Sequence, residues 1–237
     1  MTLNDKTPRL EVCCADVRSL HAAVEGGAYR VELCESLGVG GLTPSMGMIE
    51  TAVESGIVTN VLIRPREGNF DYTDEEVRCM VRDIKAAKKA GANGVVIGAL
   101  TAERKVDEDT CLRLVEAAEG MEITFHRAFD VCSDPLGGFD KIYAMGVHRL
   151  LTSGQAANAY AGIPVIRSLV EMAEQYKERF GHTLYIMPGC GVNADNALEI
   201  LQKTGAMEIH GSLRNNGFTD PDLVRRVVES IRHRQSS

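Results

Sequence analysis

The chain has 237 residues, 44% of them apolar and 25% charged, with a formal net charge of −7. That acidic balance argues against a nucleic-acid surface, which needs clustered positive charge, and no apolar run reaches the roughly 18 residues of a membrane-spanning helix. The seven cysteines are odd in number, follow a polar segment over residues 1–9 with no apolar export core, and show no Cys-x-x-Cys pair. They read as free thiols in a reducing cytoplasm, not as a disulfide framework or a structural zinc site.

In chain order, short β-like apolar runs alternate with amphipathic stretches. Leu10–Cys13 reads as a strand, followed by a helix over Asp16–Gly26, with apolar residues at Val17, Leu20, Ala23 and Val24. Strands follow at Arg30–Leu33 and Val58–Ile63, then a helix over Thr73–Ala90 that opens with the capping-box pattern Thr-Asp-Glu-Glu and stops before Gly91. Gly94–Ile97 and Glu122–Phe125 read as strands around a helix at Asp107–Gly120. A weaker helix, interrupted by Gly137 and Gly138, spans Asp134–Gly146 ahead of a strand at Arg149–Leu151. A helix at Gly162–Gly181, a strand at Leu184–Met187, a helix at Asn193–Gly205, a strand at Glu208–Ile209 and a helix at Thr219–Arg234 complete the chain. Eight β-α units without a linker or composition break predict an α/β fold, a single (β/α)8 TIM-type barrel over residues 1–237.

Function in such a barrel sits where strands end. The triplet Glu-x-Cys closes two strands, as Glu11-Val12-Cys13 and Glu32-Leu33-Cys34. Residues two apart on a strand share a face, so each strand aims a carboxylate and a thiol the same way. Neighbouring strands lie about 4.8 Å apart, so Cys13 and Cys34 could hold a soft cation such as Cu(I) between them. Glu11, Glu32, His126 and His210 are candidate acid–base groups. Arg64 and Arg66, two apart, and Arg127 with Ser153 suit an anion. So do the small-residue loops at Gly189, Gly191, Gly211 and Ser212, which follow the seventh and eighth strands, the usual place of a barrel phosphate site. Asn193 is placed to cap the helix after the seventh strand. No lysine stands at a strand end, which leaves a Schiff-base aldolase without its nucleophile. Cys14 should face the helix layer, and Cys79 and Cys111 read as buried filler on helices.

The motifs EVCCAD (residues 11–16), RVELCESLGVGGLTPS (30–45), LIRPREGNFDY (62–72), GVVIGAL (94–100), TFHRAFD (124–130), LLTSG (150–154), MPGCGV (187–192) and EIHGSLR (208–214) resemble the copper homeostasis protein CutC family. The resemblance implies a (β/α)8 barrel, a cytoplasmic location, assembly into homodimers or larger homo-oligomers, and a role in copper handling with Cys13 and Cys34 at the positions of the family's proposed copper ligands. One departure is Cys190, where the family pattern reads MPGGGV; it narrows the expected anion pocket or adds a third thiol. The alternative activity from the residues alone is a lyase or isomerase acting on a small phosphorylated or carboxylated metabolite, with a divalent metal as a further candidate cofactor. A third reading is a non-catalytic barrel whose polar mouth is a structural network.

Overall fold

A computed structural model describes residues 7–232. Among these, the apolar runs form eight strands: β1 Arg9–Cys14, β2 Arg30–Leu33, β3 Val58–Leu62, β4 Gly94–Ile97, β5 Glu122–Phe125, β6 Arg149–Thr152, β7 Tyr185–Pro188 and β8 Glu208–Gly211. They pair in parallel in the order β7-β6-β5-β4-β3-β2-β1-β8. The end strands β7 and β8 lie side by side, so the sheet curls into a nearly closed (β/α)8 barrel, as the eight-fold alternation predicts.

The helices are α1 Val17–Glu25, α2 Met46–Glu54, α3 Asp74–Ala90, α4 Glu108–Ala117, α5 Pro135–Ala144, α6 Ile163–Phe180, α7 Ala197–Thr204 and α8 Pro221–Arg232. Their starts are set by local chemistry. The side chains of Asp16, Thr73, Asp107 and Asp134 accept the N–H groups of Ser19, Glu76, Thr110 and Gly137, satisfying donors that the first helical turn leaves open. Thr73 and Glu76 complete the expected capping box. Helix α2, which the sequence does not announce, is capped by Ser45 accepting from Met48; the glycines and proline just ahead of it mask its short period. Asn193 does not cap α7: its Oδ1 accepts the N–H groups of Asp195 and Asn196 in a turn before the helix. A short hairpin, β9 Arg214–Asn215 with β10 Phe218–Thr219, lies between β8 and α8. The last two residues of the expected final helix, 233–234, lie outside the described residues.

Alternation along the strands sorts two interiors. Leu10, Val12 and Cys14 of β1, with Val31, Leu33, Val61, Val95, Ile97, Ile123 and Phe125, face outward into the apolar layer under the helices. Cys111 is buried there, but Cys79 is exposed, because the buried stripe of α3 takes Val77, Met80, Ile84 and Ala87 instead. The inward positions are polar at the barrel's centre. Arg30 Nε reaches Glu11 Oε2 at 2.5 Å and its Nη2 reaches Glu208 Oε2 at 2.6 Å. Arg149 reaches the same Glu208 oxygen at 2.6 Å and Glu122 at 2.7 Å. Such long side chains need small neighbours. At Gly94 a Cβ would lie 2.4 Å from Asn60 Oδ1 and 2.7 Å from the Glu122 carbonyl.

Charges inside a barrel hold only as a set, because a lone buried ion has no compensation for its lost hydration. Replacing Arg30 by Ala leaves Glu11 and Glu208 without a shared counter-ion, and urea denaturation should show a loss of about 3–5 kcal/mol; a loss no larger than that of an exposed ion pair would mean the network is not holding the barrel.

Candidate functional site

The upper end of this ion core opens into the site. Glu11 bridges the two levels: Oε2 accepts from Arg30 and Oε1 accepts the Nδ1–H of His210 at 2.8 Å. Burial raises the Glu11 carboxyl, but the Arg30 charge and the His210 hydrogen bond outweigh it and hold the group well below the usual carboxylate range. His210 answers in the other direction. Burial disfavours its charged form, yet the Glu11 hydrogen bond and the carboxylates of Glu32 and Glu11 raise its pKa. With Nδ1 held by Glu11, Nε2 is the nitrogen left to meet a ligand.

Cys13 stands opposite Glu32 in the β1–β2 register. Its Sγ is 3.7 Å from Glu32 Oε1 and 3.5 Å from Cys34 Sγ. The two thiols therefore touch, on the diagonal, in a small apolar nest with Leu62 and Val96. The contact with Cys34, burial and the Glu32 charge push the Cys13 thiol well above its ordinary value. Burial also lifts the Glu32 carboxyl to about 7, and its Oε2 is buried without a partner. Cys13 Sγ, a Glu32 oxygen and a His210 nitrogen lie within 4.8 Å of one another. Cys13 thus belongs to two donor groups at once, the dithiol with Cys34 and the mixed set with Glu32 and His210. A carboxylate behind the imidazole, as Glu11 is behind His210, is the pairing that orients metal-bound histidines.

Cys13, Glu32 and His210 line one wall of a cavity of about 490 Å³ at the barrel mouth, with Cys34 buried against Cys13 outside its lining. The opposite wall carries His126, Arg64, Arg127, Asp130 and Phe70. Burial and the Arg64 charge pull the His126 imidazole down to about 3, so it is neutral. Its Nδ1 accepts the Ala128 N–H at 3.2 Å, which places the ring proton on Nε2. Gly98 makes room for this ring: a Cβ there would lie 2.5 Å from it.

The other expected anion-binding residues scatter. Arg66 is drawn to the start of α3, where it pairs with Glu76 at 2.5 Å. Ser153 gives its N–H and hydroxyl to the Asp130 carboxylate, and Arg127 Nε donates to the same group. Gly189 N–H donates to the Thr152 carbonyl, and a Cβ at Gly189 would strike Leu151 at 2.5 Å; this glycine packs the barrel wall. Gly191, Gly211 and Ser212 do line the cavity, as does Cys190, whose backbone takes the left-handed conformation. Among the residues the sequence reading passed over, Asp130 organises the rim, and Arg30, Arg149 and Glu208 position Glu11. A signal existed: each of those three opens a strand two residues before another inward position.

The model of the CutC family matches residues 8–215. The chain is 45% identical to a CutC family protein of Glaesserella parasuis over 207 residues, 87% of this chain and 82% of the relative. It is 46% identical to one of Photobacterium profundum over 205 residues, 86% and 81% of the two chains. Among solved structures it is similar to CutC of Streptococcus agalactiae, with a TM-score of 0.79, 37% identity, and 86% and 98% of the two chains covered. Thiamine phosphate pyrophosphorylase of Pyrococcus furiosus, at 17% identity and a TM-score of 0.61, shares the fold.

In the metal-free protein, a Glu11 carboxyl lowered on folding contributes stability that is present above its unfolded value near 4.5 and lost as pH falls toward the lower folded value. Glu11→Gln should therefore cost about 3–5 kcal/mol at pH 7 and progressively less below pH 4.5, read from denaturation curves across that range. A penalty independent of pH would contradict the assignment.

Proposed function

The chain belongs to the CutC family, and from that premise we propose that it is a copper-handling protein that takes Cu(I) on the thiols of Cys13 and Cys34. The observation that carries this reading is the 3.5 Å contact between two buried, unoxidised sulfurs beside a histidine and an unpartnered carboxylate oxygen. Thiolates select soft cations, Cu(I) foremost.

The donor geometry fits the ion. With metal–sulfur bonds of about 2.3 Å, two sulfurs sit about 3.8 Å apart on a tetrahedral ion and about 4.6 Å apart on a linear one. The observed separation is nearer the bent case, so the Cys13 and Cys34 pair leaves room for a third donor, and His210 Nε2, once it gives up its proton, is the nitrogen at hand. Glu32 stands beside Cys13 as a further oxygen donor or as the acceptor of a displaced proton. The raised Cys13 pKa has a consequence: the thiol is protonated in the metal-free state, and copper must displace that proton to bind. Copper is cargo in this reading, and the ion core below the site keeps the donors at fixed separation whether or not it is loaded. The same reading sets the protein in the cytoplasm, where its thiols stay reduced, as a homodimer or larger homo-oligomer.

Anaerobic competition with a chromogenic Cu(I) chelator tests the assignment. Cys13→Ser/Cys34→Ser should weaken Cu(I) binding by more than the about 100-fold that loss of a supporting hydrogen bond costs at metal sites. Affinity equal to that of the unmodified protein would remove both cysteines as ligands.

A further inference from the structure

The wall of the cavity facing the thiols has a chemistry that copper handling does not use. Arg64, two residues past the end of β3, is 5% exposed. Its Nη1 and Nη2 donate to the carbonyls of Val39, Gly41 and Gly68 at 2.8–2.9 Å, which ties two loops to the barrel rim. Among the described residues no carboxylate pairs with it; its remaining side-chain partner is the Tyr72 hydroxyl. The Tyr72 hydroxyl nearby does not balance the charge, because burial raises it to about 12 and keeps it neutral. Carbonyl dipoles satisfy hydrogen bonds but leave a net positive charge in place, and a buried charge without a counter-ion is costly.

His126 stands beside this cation. The two are bridged by Phe70, whose ring lies 4.9 Å from the imidazole and 5.1 Å from the guanidinium carbon. His126 is also 5% exposed, and its Nε2, which carries the proton because Nδ1 accepts from Ala128, has no partner. A buried donor left open is unusual in a native fold and calls for an acceptor. Beside a cation with no carboxylate partner, that open donor calls for an anionic oxygen. The nearest carboxylate on that wall, Asp130, does not answer: it is already bonded by Arg127, Thr152, Ser153 and Gln155.

We infer that the barrel mouth has a second binding site, in which a small organic carboxylate sits against Phe70 and accepts the Nε2–H of His126 within the field of Arg64. A monoanion suits the wall, with one uncompensated cation and one neutral donor. A phosphate dianion would add charge opposite Glu32 and Asp130 and find too few donors to balance it. The cavity, about 490 Å³, has room for a molecule the size of a small oxo-acid. The site is independent of whether the thiols hold copper.

The test uses reduced, metal-free protein labelled with ¹⁵N-histidine, pyruvate as the probe and inorganic phosphate as the comparison. The His126 resonance, assigned by its absence in His126→Phe, should keep its proton on Nε2 and shift saturably with pyruvate. Pyruvate should bind His126→Phe about tenfold or more weakly, the usual effect of losing a hydrogen bond to a charged group, with Cu(I) affinity unchanged. Gly98→Ala, which pushes the ring aside, should also weaken pyruvate binding. A resonance unmoved by pyruvate, or one moved by phosphate alone, overturns the proposal, as does undiminished pyruvate binding by His126→Phe. The wild-type titration decides the matter even if the variants fold poorly. Loss of the copper reading would appear only in the cysteine variants.

Discussion

One carboxylate, Glu11, joins the two halves of this molecule. Below it, Arg30, Glu208 and Arg149 form a set of paired buried charges at the barrel's centre that runs on to Glu122. Above it, its second oxygen fixes the His210 ring. Neither half is independent of the other. If Glu11 moved, Arg30 would lose a partner in a medium that tolerates no lone ion, and His210 would lose the bond that sets its tautomer and raises its charge. The site is therefore built on strands and on a salt-bridged floor, the kind of support that holds donor atoms at fixed separation.

The cavity above that floor is two-faced. One face presents the Cys13 thiol, a carboxyl whose pKa burial lifts to about 7 and an imidazole; the other presents a buried guanidinium and a neutral imidazole. The two histidines are driven apart in pKa by their surroundings alone. His210 faces carboxylates and is raised, whereas His126 faces Arg64 and is lowered. Environments that push like groups in opposite directions give them different tasks. Here the division separates the proposed metal-binding wall from the proposed anion-binding wall.

The barrel was legible because each strand keeps a clean two-residue alternation and each unit ends on a glycine or a capped helix. The meeting of Glu11, Cys13, Glu32 and Cys34 was legible for the same reason, and so was the outward turn of Cys14. Register was not. Cys13 faces Glu32 across β1 and β2, so the thiols meet on a diagonal at 3.5 Å, where adjacency alone suggests the full inter-strand spacing. Arg66 escaped the two-residue rule because β3 ends at Leu62 and Glu76 of α3 captures the guanidinium. The loop glycines after β7 and β8 mark different needs: Gly189 clears Leu151, and only Gly191 and Gly211 border the cavity. Asp130 was invisible because it acts from a 3₁₀ turn after β5, outside any strand pattern.

The most direct test of the account is X-ray absorption at the copper edge of the reduced protein loaded with one equivalent of Cu(I). Two sulfur scatterers per copper, joined by a nitrogen or oxygen donor in a three-coordinate shell, are the result this structure predicts. A shell without sulfur, or a linear pair of sulfurs with no third donor, would contradict it: the first removes copper from Cys13 and Cys34, and the second removes His210 and Glu32 from the metal.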